Sequence, residues 1–217
     1  SGVTTLTLAS VGGTATLSAD VDVTTLTVGS TVANVAFTGN GSSVTNAVAF
    51  ANDGTLILGT DGGTQTYGGG LTTTSVGSTV TLNGTVATSN DAVVLGAVTL
   101  GSATTIDTNA TDGTGDITIG AVTSTNLNLT LDTTGTTGSA DHTFTGDIRL
   151  GSGGALSVTG DAVLGANVLI IAGGITFNNN INADNATNND RTLTMSSGIG
   201  STISVAGNVG NSQALAG

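Results

Sequence analysis

The chain has 217 residues and lacks cysteine, proline, tryptophan, lysine and glutamate altogether; only five residues are aromatic. Each absence removes a class of structure or function. Without cysteine there is neither a disulfide framework nor a thiolate metal site, and the redox compartment stays open. Without Lys and Glu most of the strong surface helix formers are gone. Arg149 and Arg191 are the only bases against 14 acids, all Asp, for a net charge of -12. Clustered cations for phosphate are therefore missing, which argues against nucleic acid as a partner. No polybasic segment could hold an anionic membrane surface. Long apolar runs are absent, so direct membrane insertion is not expected, and short strands without aromatic girdles also argue against a membrane barrel. The sequence starts at Ser1 with no initiator Met and no signal peptide, which is expected of a mature or excised segment.

What remains is Thr, Val, Leu, Ile, Gly, Asn and Ser, a vocabulary of β-branched strand residues and turn residues. All-β is the inference. Disorder is disfavoured: 37% of residues are hydrophobic and the mean hydropathy is +0.32, enough apolar surface to offset chain entropy.

Apolar and polar residues alternate in short runs, as at Leu6 and Leu8, Leu26 and Val28, Leu56 and Leu58, Val80 and Leu82, Ile117 and Ile119, Leu129 and Leu131, and Ile203 and Val205. That period of two marks half-buried strands. Turn signals such as NDG at 52–54, DGG at 61–63, NGT at 83–85 and DGT at 112–114 lie between them. Alternation suits an antiparallel β-sandwich as well, which is the main structural alternative.

Repeats favour a solenoid. TTLTL at 4–8 returns as TTLTV at 24–28, and VTLNG at 80 returns as VTLGS at 98. In register these would place Leu6 on Leu26 and Leu8 on Val28, with Thr outside. Repeats of this length cannot bury their own apolar face and must stack on neighbours. At about 20 residues per coil and about 4.8 Å between strands, the expectation is roughly ten coils in one array over residues 1–217, a rod roughly 50 Å long. The Asn-rich stretch FNNNINADNATNND, 177–190, reads as a broad corner or solvated loop.

The runs GDITIGAVTSTNLNLTL, STVTLNGTVATSNDAVVLGAVTLGSATTIDT and RTLTMSSGIGSTISVAGNVGNSQALAG resemble repeats of large bacterial surface proteins of the filamentous-haemagglutinin and giant-adhesin type. The similarity covers most of residues 71–217. It implies a right-handed parallel β-helix, exported and extracellular or cell-surface, and a non-catalytic stalk, matrix or fibre segment. Partners would be other copies of itself or flanking repeats, joined end to end; a host or surface ligand is not specified.

Few residues could carry chemistry. Asp107, Asn109, Asp112 and Asp116 in DTNATDGTGD are hard oxygen ligands in a Gly-containing loop and form a candidate calcium site. The spacing departs by one residue from the EF-hand pattern, and an Asp-rich turn is the plainer explanation. Asp184, Asn185 and Asp190 form a second, sparser cluster. No other cofactor is implied. His142 is the only histidine, and Asp141 beside it should point to the opposite face of a strand. Asp147 and Arg149 share a strand face and should form an exterior ion pair. β-Helix polysaccharide lyases place acids, calcium and a base on the outer wall, so the pair keeps a lyase-like enzyme as a minor alternative. Val168, Leu169, Ile170 and Ile171 break the alternation and mark either a lateral contact between rods or a buried corner. Flat Thr arrays bind ice in some β-solenoids, but the Thr-x-Thr pairs at 5 and 7, 14 and 16, 25 and 27, 72 and 74, and 79 and 81 do not recur once per coil, which argues against ice; a carbohydrate- or ice-binding module is the functional alternative to a rod.

Overall fold

A computed structural model describes residues 2–109, 114–134, 140–184 and 190–216. Among the described residues every regular element is a β-strand, and each strand pair is parallel. The antiparallel sandwich is thereby ruled out: chain neighbours never pair as hairpins, and each strand pairs with its counterpart one turn away. The chain is a β-solenoid of about eight turns. Division of the length by 20 overestimates the turns, because the offset between paired residues varies. It is 18 from Val80 to Val98 and 28 from Ile175 to Ile203.

The repeat pairs stack as the sequence suggests. Thr5, Leu6, Thr7 and Leu8 pair with Thr25, Leu26, Thr27 and Val28, and Val80, Thr81 and Leu82 pair with Val98, Thr99 and Leu100. A coil contributes up to three strand segments. The first set forms a seven-stranded sheet ending at Ile181–Ala183, with the pair Thr5–Leu8 and Thr25–Val28 adjacent to it. The other two segments merge into a fourteen-stranded sheet, since strands such as Val80–Ala87, Val98–Asp107 and Ile148–Thr159 run through the bend between them.

Alternate residues face inward, so each inward position becomes a column of stacked side chains. Val80, Val98, Val122, Ile148, Ile170 and Met195 form one such column. The buried aliphatics make one continuous core. All five aromatics are buried within it, and two edge-on pairs, Phe50 with Tyr67 and Phe144 with Phe177, fill its wide parts.

Two expectations change. The stretch 177–190 contains a strand, Ile181–Ala183, whose Ile181 and Ala183 are buried; a three-residue strand flanked by Asn gives no alternation to detect. Val168 to Ile171 alternate cleanly. Val168 and Ile170 point into the core, while Leu169 and Ile171 are half-buried on the outside. No two successive residues of 168–171 point inward, while Leu169 and Ile171 do point outward, so both faces of this strand carry aliphatics.

Candidate functional site

The feature repeated most often in the molecule is the contact between one coil and the next. Beyond the backbone ladder it has a second component. Among the described residues ten Asp or Asn side chains use Oδ1 to accept a hydrogen bond from a backbone N–H in the following coil. Examples are Asp20 with Gly41 (2.7 Å), Asn34 with Thr55 (2.8 Å), Asn126 with Gly153 (2.8 Å), Asp147 with Leu169 (3.0 Å) and Asn180 with Asn208 (2.9 Å). The others are Asp116, Asn128, Asp161, Asn167 and Asn182. In every case the oxygen belongs to the earlier coil and the N–H to the later one. These N–H groups mostly lie where a strand is entered, and the side-chain oxygen satisfies them there. The bonds give the stack a direction and fix its register.

Buried threonines tie the end of one strand to the chain that enters the next. Thr88, Thr108 and Thr133 occupy equivalent positions after their strands and are almost fully buried. Their hydroxyls donate to the carbonyls of Asp91, Gly115 and Ala140, closing the base of each loop. The candidate calcium loop is one of these. Asp107 Oδ1 accepts from the Asn109 N–H, and Asp116 Oδ1 from the Asp141 N–H of the next coil. Asp112 lies outside the described residues. Among the described residues no group of three or more His or Asp side chains gathers in a way that could hold a metal ion. Of the second cluster, Asn185 lies outside the described residues, while Asp184 takes a two-pronged bond from Arg191 at 2.9 and 3.0 Å. That pairing raises the already high pKa of Arg191.

Asp147 and Arg149 form the exterior ion pair, at 2.9 Å. The Leu169 N–H and the guanidinium together hold the Asp147 carboxyl below its ordinary pKa. Both side chains are more than a third exposed, so the pair contributes at most about 1 kcal/mol. Its neighbours in register are Thr123, Ile171 and Leu169, and the geometry is that of an outer wall.

Asp141 and His142 point to opposite faces, and His142 is entirely buried in a column with Ile117 and Ala162. Its Nε2 lies 3.0 Å from the Thr159 carbonyl oxygen, so this nitrogen carries the proton and donates. Nδ1 is buried without a hydrogen-bond partner among the described residues. Burial lowers the His142 pKa, outweighing the Thr159 carbonyl and the charges of Asp132, Asp116 and Asp161, which raise it. A histidine whose folded pKa is depressed contributes stability above its unfolded pKa of about 6.5, lost as pH falls towards the folded value. Burial and the charges of Asp116 and Asp161 raise the Asp141 pKa, and its contribution runs the other way, lost as pH rises through that value. Between pH 7 and pH 5 the stability should decline by no more than about 1.4 kcal/mol per pH unit, the slope of one proton. Urea titrations at several pH values check this, and His142→Leu should flatten the decline.

No protein-family model, curated protein or solved structure matches this chain.

Proposed function

We propose that this chain is a stretch of a right-handed, non-catalytic β-solenoid rod belonging to an extracellular bacterial surface protein, with coils that stack end to end on further coils or on other copies. One observation supports the reading: every strand pair among the described residues is parallel, and Thr5–Leu8, Thr14–Leu17, Leu193–Ser197 and Ile203–Val205 pair with another strand on one side only. An open edge with apolar residues seeks another strand. At one end Val3 is 64% exposed, and a groove of about 460 Å³ lies beside it, lined by Thr4, Asp22, Val23 and Ser43. At the other, Ile199, Ile203 and Val209 are exposed. The directional Asp and Asn bonds support head-to-tail rather than head-to-head joining.

Rod stiffness follows from stacked backbone bonds over a continuous aliphatic core, and the acidic exterior keeps rods apart laterally. Sedimentation velocity over a range of concentrations tests the proposal. Elongated oligomers should grow with concentration, and Ile203→Lys should weaken assembly at least tenfold without changing the far-UV circular dichroism. A particle that stays monomeric at every concentration would count against end-to-end stacking.

A further inference from the structure

One exterior column differs from the rest. Thr64, Thr85, Thr105, Thr130, Ser157 and Thr176 pair in unbroken register along the fourteen-stranded sheet. Six successive coils thus present a hydroxyl each, about 4.8 Å apart, and Ser204 continues the column one coil further. The Thr-x-Thr pairs do not recur once per coil, but this single Thr or Ser position does, at chain intervals that insertions make irregular.

These hydroxyls are available. All six residues are half-buried or exposed, and none of the six hydroxyls has a hydrogen-bond partner among the described residues. Elsewhere on the exterior hydroxyls pair with each other, as Thr99 does with Thr123 at 3.1 Å. On one side the column is bordered by the small residues Ala103, Ala155 and Gly174 and by the exposed amide of Asn128, whose Oδ1 accepts from the Ala155 N–H. On the other stand Asp107 and Asp132, adjacent in register. A shallow groove of about 280 Å³ follows the column over Thr85, Thr105 and Thr130.

We propose that this face binds a neutral, extended β-linked glycan laid along the solenoid axis. A row of identical hydroxyls at constant spacing suits a partner that repeats at nearly the same spacing, as the pyranose rings of such a chain do. Hydroxyls donate to and accept from sugar hydroxyls, and carboxylates accept from them strongly. With Arg149 on another part of the sheet and Arg191 bonded to Asp184, no cation lines this face, so anionic polymers are repelled. The flanking Asp pair also distinguishes the face from a uniform Thr array suited to a water lattice. All aromatics are buried, so affinity comes from the number of rungs engaged rather than from ring stacking.

The proposal requires the β-solenoid but not the rod reading: a monomer that binds glycan would leave it intact. Phosphoric-acid-swollen cellulose is the probe. The intact chain should be depleted from solution, and the triple variant Thr85→Val, Thr105→Val, Thr130→Val should bind at least tenfold more weakly. Valine keeps the β-branched shape, and unchanged circular dichroism and urea midpoint would show that the variant folds. Asp107→Asn with Asp132→Asn should weaken binding severalfold as a second test. A control triple on the other part of the sheet, Thr81→Val, Thr99→Val, Thr123→Val, should bind like the unaltered chain. No depletion of the unaltered chain, or equal depletion of the Thr85 triple, overturns the proposal. Thermal hysteresis in freezing solution without cellulose depletion also overturns it, in favour of an ice lattice.

Discussion

Phe144→Ala should lower the unfolding free energy by about 3–5 kcal/mol, the range for removing a fully buried aromatic ring. Phe144 is completely buried between Ile119 and Leu164 in its column and meets Phe177 edge to ring at a centroid distance of 6.1 Å. The ring thus supports its own column and spans the interior to another. A solenoid cannot relax such a hole easily, because the coils above and below are fixed by their own backbone ladders. Urea unfolding followed by circular dichroism gives the size of the effect. Phe144→Leu, which keeps most of the apolar volume, should cost less. A loss below about 1 kcal/mol for the alanine variant would mean that the site collapses around the gap, contrary to the packing described. Hydrogen exchange should show the damage concentrated in the strands Ile117–Ile119, Asp141–Phe144 and Asp161–Leu164.

Gly84→Val should be comparably damaging for a different reason. Gly84 sits at the bend in Val80–Ala87 with φ of 64°, a conformation β-branched residues scarcely adopt. A Cβ there would also collide with the carbonyl oxygens of Gly63 and Thr60 in the preceding coil. Conformational strain of about 1–2 kcal/mol and overpacking of about 1–3 kcal/mol together predict a loss of about 3–4 kcal/mol. Gly62 separates the two contributions. Its φ is 70°, but a Cβ there would meet nothing within 4 Å. Gly62→Ala should therefore cost only the strain, about 1 kcal/mol. Thermal and urea denaturation of both variants decide the matter: equal losses at the two glycines would contradict close coil-to-coil contact at Gly84.

Gly84 also shows how far the sequence could be followed. NGT at 83–85 reads as a turn between strands, but it lies inside a single strand, Val80–Ala87, at an irregularity in the pairing. The pairing shifts there from Leu82 opposite Leu100 to Gly84 opposite Thr104. Near-identical repeats such as TTLTL and TTLTV revealed their register directly, since identical letters fill identical places. The same logic fails where insertions intervene. The hydroxyl column from Thr64 to Thr176 is regular in space and irregular along the chain, so only the pairing reveals it. His142 is similar: a lone polar residue among short strands has no periodicity to assign its face, and its burial follows from Ile117 and Ala162 above and below. The Asp and Asn residues that bond the next coil were visible as turn formers, a local preference. Their longer-range role depends on which N–H lies beneath them, and that is known only once the coils are stacked.

The proposed rod requires parallel coils to continue from one stack to the next. Electron cryomicroscopy of the assembled protein tests it most directly. The expected result is a filament of uniform width with a layer line at about 4.8 Å along its axis and coils passing without a break from one copy to the next. Isolated compact particles with closed ends and no axial repeat would contradict it.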